Sequence, residues 1–321
     1  MAPEGRPAPP AAPASLLVES VPNFSEGRRR DVIEAIVDAA LGGGPVVRLD
    51  VSSDPDHNRS VLTLAGHPEA VRSALEAMVA ACVERIDLRV HQGGHPRMGA
   101  VDVIPLIPIR GVTMEDCVRL ARDLGAALAS RHGLPVYLYE RAASAPARRN
   151  LAEVRKGEFE GFVDKIRDPL WKPDFGPDRV HPTAGCVAVG AREFLIAYNI
   201  NLASDDLDLA KSIARSVRES SGGLPCVKAM GVMLEDRKIA QVSMNMTDFR
   251  TTSLLTVFER VRDLAAASRV AIDSSEIVGL VPADALPDDP GRRLQLEDFS
   301  PSKVFERRLE AALAEGTGRR L

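Results

Sequence analysis

Residues 194–200, FLIAYNI, and 207–219, LDLAKSIARSVRE, predict a buried strand followed by an amphipathic helix, because an unbroken apolar run gives way to apolar residues at helical spacing. The same reasoning predicts two strands, a second helix and a last strand at residues 227–234, 239–246, 252–267 and 277–281. This order, strand-helix-strand-strand-helix-strand, is that of the split βαβ or ferredoxin-like arrangement. In that arrangement two helices cover one face of a four-stranded antiparallel sheet.

The first part of the chain repeats this order of elements. Strands are predicted at 16–21, 46–51, 60–65 and 100–106, and helices at 28–41 and 68–86. We therefore expect an α+β protein of two tandem ferredoxin-like subdomains, at residues 16–184 and 185–286, with antiparallel or mixed sheets covered by helices. Two sheets that each leave one face bare predict a ligand groove between the subdomains.

The segments outside the two copies are more polar. A helix at 114–131 and a strand at 136–139 precede a polar stretch, 140–185, which we interpret as an ordered connector or functional loop rather than core, with a short helix at 151–155. Residues 1–15 are rich in proline and alanine and are expected to form a disordered leader. Residues 287–321 are expected to form a charged tail with a helix at 304–314.

Composition excludes several classes of protein. The 321 residues are 45% apolar and 27% charged, and the net charge is −4, so neither nucleic acid nor a membrane is an expected partner. Four cysteines lie far apart without a C-x-x-C pair, and they favour reduced thiols in a cytoplasmic protein over disulfides or a zinc site. They are Cys82, Cys117, Cys186 and Cys226.

The strongest local signal for a site is an insertion in the first copy, residues 87–99, which contains HQGGHPRMG at 91–99. Its glycines allow sharp turns or a close approach to a ligand. Pro96 restricts the conformation of His95, whose imidazole would suit proton transfer near neutral pH; a structural histidine that closes the loop is the alternative. For His91 we favour a structural role, and the glycines and proline argue against a helical zinc site.

A second polar cluster follows the second strand. Asp50, Asn58 and Arg59 lie in or beside a hairpin connection, where such residues also have an ordinary turn explanation. In the functional interpretation, Arg59 offers a fork to a substrate carboxylate and an acid holds His95 in one tautomer. Arg97 is the other candidate for the carboxylate.

Two further features are candidates for ligand binding. Residues 171–185 contain Trp171 and could form a wall for a flat heteroaromatic ligand or a rigid linker. The first strand of each copy runs into asparagines, Asn23 and Asn201, which could line a cleft; a helix-capping role is the alternative for Asn23.

Several linked motifs in collinear order resemble the formiminotransferase family, that is, glutamate formimidoyltransferase. The resemblance spans residues 16–286, and its motifs lie at 21–27, 91–102, 171–176, 194–202 and 241–249. It implies transfer of the formimino group from N-formimino-L-glutamate to N5 of tetrahydrofolate, which gives 5-formiminotetrahydrofolate and glutamate in histidine degradation. Tetrahydrofolate would be a co-substrate, and no metal is expected.

The resemblance also implies site residues. The family's catalytic histidine falls on His95, which would act as general acid and base. The folate-binding segment falls on Gly176, Pro177, Asp178, Arg179, Val180, His181, Pro182, Thr183, Ala184 and Gly185. The animal pattern has a tryptophan where this chain has Ala184, so stacking by that residue is not available.

The acid partner of the histidine is left open by the sequence. Animal members have an aspartate where this chain has Ser52, which leaves Asp50, Asp54 and Asp56 as candidates.

Partners and alternatives follow from the same resemblance. We expect a homodimer, and because 35 residues follow Leu286, we expect cyclodeamination to belong to a separate protein. A formyl transferase acting on 5-formyltetrahydrofolate and a non-catalytic folate-binding or assembly module are the alternative functions.

Overall fold

The chain divides into two units after Ala191. The computed structural model describes residues 16–297 and 299–316, so the predicted leader at 1–15 lies outside the described residues. Sequence analysis placed the boundary between residues 184 and 185. The strand Val187–Ala191 accounts for the difference, because it pairs inside the sheet of the first unit.

The first unit is built on a seven-stranded mixed sheet. Its elements are β1 (Leu17–Ser20), β2 (Asn23–Phe24), α1 (Arg30–Gly42), β3 (Val46–Asp54), β4 (Arg59–Gly66), α2 (Pro68–Arg85), β5 (Val101–Arg110), α3 (Met114–His132), β6 (Val136–Glu140), α4 (Leu151–Arg155), α5 (Glu158–Lys165) and β7 (Val187–Ala191). Strands β1 and β2 are two parts of one strand position, between β4 and β5, and Pro22 interrupts them because it has no amide hydrogen. The order β3-β4-β1/β2-β5 is the predicted ferredoxin-like order, and β7 and β6 extend it with parallel pairing.

Helices lie on both faces of this sheet. The main core lies between the sheet and α1, α2 and α3. On the opposite face α4 and α5 cover β5, β7 and β6, where Phe162 packs edge-on against Tyr137 with ring centroids 5.4 Å apart. The prediction that 140–185 contributes no core is therefore wrong for Val154 and Phe162, which are fully buried. Their apolar neighbours are too sparse to produce a visible periodicity.

The second unit is a four-stranded antiparallel sheet with the order β11-β8-β10-β9, again the ferredoxin-like order. Its elements are β8 (Ile196–Leu202), α6 (Leu207–Val217), β9 (Val227–Leu234), β10 (Ile239–Met246), α7 (Leu254–Ala267), β11 (Ile272–Val278), α8 (Pro290–Arg293) and α9 (Phe305–Gly316). Helices α6 and α7 pack on one face. The two units together confirm the predicted α+β class with a split βαβ order in each copy.

Two details of the second unit differ from the prediction. Strand β11 begins at Ile272 rather than at residue 277. The prediction missed its first part because Ser274 and Glu276 are polar. They lie on the face opposite the helices and hydrogen-bond to the neighbouring strand. The tail beyond residue 286 is part of the fold, since Leu294 is buried in the core. No helix in the described part of the chain has the length and apolar character to cross a membrane.

Candidate functional site

The loop that carries His95 connects α2 to β5 and docks on the turn between β3 and β4. Asn58 in that turn has a positive φ of 48°, and its side chain accepts a hydrogen bond from the Gly27 amide (2.9 Å) and donates one to the Gln92 carbonyl (2.9 Å). A side chain at Gly93 would overlap the carbonyl of the turn. Gly93 therefore lets two segments of this chain approach each other, and Asn58 holds them together.

His91 is fully used inside this loop. Its Nε2 donates to the Asn58 carbonyl oxygen (2.9 Å), and its Nδ1 accepts from Nε of Arg97 (3.2 Å). This pattern fixes the neutral tautomer with the proton on Nε2. Burial lowers the pKa of His91, with Arg97 adding to the effect, and the structural role predicted for this residue fits these contacts.

Arg97 is occupied by carboxylates of its own chain. The residue is 8% exposed, and its guanidinium bonds to Glu160 at 2.7 and 2.9 Å and to Glu158 at 3.3 Å. With its Nε given to His91, this arginine holds α5 and the loop together. No nitrogen of the guanidinium is left for a substrate carboxylate without breaking one of these bonds.

Four of the residues singled out in the sequence share one face of the first sheet. In the register of β3 and β4, Asp54 lies opposite Arg59 and Asp50 lies opposite Thr63. Asn23 in β2 lies opposite Val61, which is two residues from Arg59. Because side chains alternate along a strand, Asn23, Asp50, Asp54 and Arg59 project from the same face. The amide of Asn23 also donates to the Val21 carbonyl (3.1 Å).

Arg59 is a partly buried cation with an unsatisfied nitrogen. Its Nε is buried and finds no hydrogen-bond partner among the described residues. Burial lowers the pKa of Arg59, and the positive charge of Arg155 lowers it further. A desolvated guanidinium with a free donor is a strong attractor for a carboxylate.

A second arginine lies at this site, and sequence analysis did not identify it as a candidate. Arg155, the last residue of α4, donates a hydrogen bond to the buried Asp102 of β5, and its Nε is also buried without a partner in the described chain. Asp102 accepts a second bond from the Met98 amide (2.9 Å). Burial raises the pKa of Asp102, although Arg155 opposes the rise. The sequence places a short helix at 151–155, but nothing in it connects that helix to β5.

His95 is held as a neutral imidazole. Burial lowers its pKa to about 3, with the charges of Arg59, Arg155 and His57 acting in the same direction and Asp54 opposing them. The imidazole ring of His95 makes no hydrogen bond and no ion pair with any described residue. A neutral imidazole with unoccupied nitrogens can accept a proton from a bound substrate.

The acid partner left open by the sequence is not settled by a direct contact. Asp54 accepts a hydrogen bond from Nδ1 of His57 (2.7 Å), not from His95. Asp54 also accepts the backbone amides of Asp56 and His57, at 2.9 and 2.8 Å. Among the described residues, neither Asp50 nor Asp56 bonds to the His95 ring.

The segment 176–185, which the resemblance assigns to folate, is joined to both ends of the histidine loop. The Leu88 amide donates to the Thr183 carbonyl (2.8 Å), and the Ala100 amide donates to the Ala184 carbonyl (2.9 Å). Inside the segment, Nδ1 of His181 accepts the amides of Thr183 and Ala184, at 3.4 and 3.0 Å. The C-terminal end of the segment is therefore hydrogen-bonded to both ends of the loop within the first unit.

The ends of this segment depend on glycine. Gly176 and Gly185 have positive φ values of 88° and 69°, a conformation that side-chain-bearing residues rarely adopt. Ala184 is 2% exposed and belongs to the core under α2 and α3. The small side chain at this position therefore packs inward.

Asn201 lies in the second unit, in a hydrogen-bonded cluster of its sheet. Its amide donates to Ser274 (3.0 Å), its oxygen accepts from Gln241 (2.8 Å), and Gln241 also donates to Glu276 (3.0 Å). The side chain is fully buried, so the polar groups of this cluster satisfy one another.

The described residues contain no group of three histidine, cysteine or acidic side chains placed to hold a metal ion. His91, the nearest histidine in sequence to His95, has both ring nitrogens in hydrogen bonds. What the site offers is proton transfer and anion binding.

Comparison with known proteins identifies the family of the chain. The family models for the formiminotransferase domain match residues 17–192 (N-terminal subdomain) and 197–291. A glutamate formimidoyltransferase of Streptococcus pyogenes serotype M1 is 46% identical over 287 residues, which cover 89% of this chain and 96% of that protein. One of Thermoplasma acidophilum is 46% identical over 92% of this chain and 98% of that protein. The formimidoyltransferase-cyclodeaminase of Rattus norvegicus is 44% identical over 85% of this chain and 52% of that protein. The chain belongs to the formiminotransferase family.

Proposed function

We propose that this chain is a glutamate formimidoyltransferase: it moves the formimino group of N-formimino-L-glutamate to N5 of tetrahydrofolate and releases 5-formiminotetrahydrofolate and L-glutamate. Relatives that carry this name match nearly their whole length. The observation that carries the proposal is the juxtaposition of a neutral imidazole, His95, with the unsatisfied guanidinium of Arg59. One group suits proton transfer between two nitrogens, and the other suits an anionic donor.

His95 serves both proton transfers in this proposal. The N5 lone pair attacks the formimino carbon, and His95 removes the proton that N5 then carries. The tetrahedral intermediate collapses with cleavage of the bond from its carbon to the glutamate nitrogen, and His95 returns the proton to that nitrogen. The proton count balances, and no atom changes its oxidation state in the step.

Arg59 is the residue we assign to a donor carboxylate, in preference to Arg97. Arg59 has a buried donor without a partner, whereas Arg97 is bound to Glu160 and His91. Asn23 and Asp50 project from the same sheet face as Arg59 and remain candidates for substrate contact. Asn58 acts by holding the turn against the histidine loop.

For tetrahydrofolate we assign the segment 176–185, on the family resemblance. Its backbone is fixed to the histidine loop at Ala100 and Leu88, which would keep a bound pteridine at a constant distance from His95. Holding two substrates together in this way accounts for a large share of the rate of a bimolecular transfer.

The surroundings of the reaction are also part of the proposal. None of the four cysteines forms a disulfide within the described residues, which fits a cytoplasmic enzyme. A homodimer is proposed from the family resemblance.

The test mixes purified full-length protein with tetrahydrofolate and N-formimino-L-glutamate and follows both products by mass spectrometry. His95→Gln is expected to lower the transfer rate by about 10²- to 10⁴-fold. His132→Gln, at a partly exposed histidine on α3, serves as the matched control and should keep the full rate. Competition with 5-formyltetrahydrofolate as the one-carbon donor distinguishes the formyl transferase. Tetrahydrofolate binding without product from either donor would favour the non-catalytic module.

A further inference from the structure

Within the described residues, three buried side-chain nitrogens lack a hydrogen-bond partner, and all three are arginine Nε atoms: those of Arg59, Arg148 and Arg155. Arg148 is otherwise enclosed, with an ion pair to Asp174 at 2.8 Å. The other two arginines both act electrostatically on His95. Unsatisfied buried donors are costly in a folded protein, so a pair of them beside one imidazole points to a ligand.

We propose that Arg155 acts together with Arg59 as a clamp for a carboxylate of the formimino donor, and that Asp102 and Lys165 are positioning residues that hold Arg155 in place. This inference rests on the proposed function, because it identifies the anion as part of the donor. It adds to that function a residue on a helix far along the chain from the histidine loop.

The acids of the chain leave donor nitrogens of both arginines unpaired. The buried carboxylate of Asp102 bonds to Arg155 and to the Met98 amide, but not to Arg59. The charge of Asp102 opposes the lowering of the pKa of Arg59, but no hydrogen bond joins the two side chains. Asp54, the other acid that acts on Arg59, is hydrogen-bonded to His57 and to the amides of its own turn, so the unpaired Nε atoms of Arg59 and Arg155 remain available to a ligand carboxylate. Guanidinium forks bind carboxylates through two parallel hydrogen bonds, so two arginines offer donors to both oxygens.

Contacts of the neighbouring backbone and of Val154 hold Arg155 in position. Val154, the preceding residue, is fully buried against the sheet. The ammonium of Lys165 donates to the carbonyl oxygens of Glu153 (2.6 Å), Val154 (2.6 Å) and Lys156 (2.9 Å). Lys165 thus satisfies the carbonyl groups at the end of α4, which a helix leaves unpaired. An arginine held in this way loses little conformational entropy when it binds a ligand.

The clamp would also couple donor binding to the chemistry. The charges of Arg59, Arg155, His57 and Asp54 act on His95, and the first three disfavour its protonation. A carboxylate bound between the arginines would offset their charge and make the imidazole a stronger base. The histidine would then become an effective base when the donor is in place, and remain a weak one without it.

The test compares donors and variants in one cycle. Arg155→Met is expected to raise KM for N-formimino-L-glutamate by roughly 10- to 100-fold, as the loss of a charged hydrogen bond would. KM for tetrahydrofolate should stay within about twofold. Two donors in which one carboxylate is replaced by an amide, N-formimino-L-glutamine and the α-amide, identify the carboxylate that is held. For the amide at the held position, wild type and variant should have the same KM. An equal loss with the diacid and with both amides would overturn the clamp.

Arg148→Met is the matched control, because Arg148 is a buried arginine of the same unit with the same unpaired Nε. It should lower the melting temperature and leave the donor KM unchanged. Lys165→Met should raise the donor KM in the wild-type background and have no further effect on it in Arg155→Met, because it acts through that arginine. Asp102→Asn should behave in the same way. Additive losses would mean that these residues are structural supports only.

Binding without turnover separates the clamp from the reaction. Calorimetric titration with L-glutamate, the proposed product, is expected to show a weaker Kd for Arg155→Met than for wild type, by a factor of roughly 10 or more. If wild type gives no transfer but shows this difference, the clamp stands and the reaction is wrong. Equal affinity in both proteins, or no binding to either, would overturn the clamp even if transfer is observed.

Discussion

Asp54 lies opposite Arg59 across the β3–β4 pair, yet its carboxylate accepts a hydrogen bond from His57, 2.7 Å away, and leaves the guanidinium of Arg59 without an ion pair among the described residues. The turn that follows Asp54 explains this. The other carboxylate oxygen of Asp54 accepts hydrogen bonds from the amides of Asp56 and His57, which is how an aspartate commonly stabilises a turn. The acid is therefore committed to the turn, and the arginine remains available to a ligand.

Asp54→Asn should consequently have a small effect on catalysis. Asparagine can accept the same two backbone amides, so the turn should survive. We expect kcat to fall by less than about tenfold, compared with about 10²- to 10⁴-fold for a lost general base. Steady-state kinetics with a melting curve measures both properties. A loss as large as that of His95→Gln, in a protein that melts normally, would show that Asp54 is the acid partner of the catalytic histidine after all.

The pH dependence of His95 should change when Arg59 loses its charge. The charges of Arg59, Arg155, His57 and Asp54 act on His95, and burial together with the positive groups lowers its pKa to about 3 from an ordinary value of 6.5. Removing one positive charge makes protonation less costly, so Arg59→Met should raise the pKa of His95. Titration of the imidazole by NMR in labelled protein measures this directly.

The activity profile gives an independent measurement of the same shift. A base with a low pKa stays deprotonated on mild acidification, so in wild type this group should not lower kcat/KM between about pH 7 and pH 5. In Arg59→Met the decline of kcat/KM on acidification should begin at a higher pH than in wild type, in addition to the overall loss of kcat/KM. An unchanged profile shape and an unchanged imidazole titration would mean that Arg59 does not act on His95.

Adjacent glycines in the histidine loop provide a test of how the loop is held. A Cβ at Gly93 would overlap the His57 carbonyl oxygen and lie 2.7 Å from Cβ of Asn58, whereas one at Gly94 would be 3.7 Å from the nearest atom, the Asp56 oxygen. Gly93→Ala should cost about 1–3 kcal/mol of unfolding free energy, as overpacking does. Gly94→Ala should be close to neutral. Urea denaturation of the two variants compares them, and equal stabilities would contradict the docked loop.

Much of the fold could be predicted because hydrophobic spacing reports local structure directly. Strands β9 and β10 coincide with the apolar runs at 227–234 and 239–246. Strand β7 was not predicted, although its residues, VAVGA, are apolar. It is short, and its place between β5 and β6 is set by long-range parallel pairing that sequence spacing does not reveal. Strand β11 was misplaced because polar residues can occupy the face of a sheet that lies away from the helices.

The site was predictable only where its residues stand close together in sequence. The histidine loop is visible as a polar insertion with glycines. Arg155 is not, since the bond that gives it significance joins it to Asp102, 53 residues away. The sequence could not decide between Arg59 and Arg97 either. Both are arginines in polar segments, and what distinguishes them is that Glu158 and Glu160, on the later helix α5, occupy one of them.

Replacing these two arginines with methionine should therefore affect different properties: stability for Arg97 and donor binding for Arg59. Arg97 is buried and makes hydrogen bonds to Glu160, Glu158 and His91, so Arg97→Met should lower the unfolding free energy by about 1–3 kcal/mol. The molecules that remain folded should bind the donor with an unchanged KM. Arg59 has a buried nitrogen without a partner in the described chain, so Arg59→Met should leave stability unchanged or slightly higher and raise the donor KM by roughly 10- to 100-fold. Thermal melts and donor titrations on both variants distinguish these outcomes. The reverse pattern, a raised donor KM in Arg97→Met and a destabilised Arg59→Met, would move the carboxylate site to the histidine loop. It would also mean that the bond from Arg97 to Glu160 opens when the donor binds, because the guanidinium cannot hold both carboxylates in the geometry seen here.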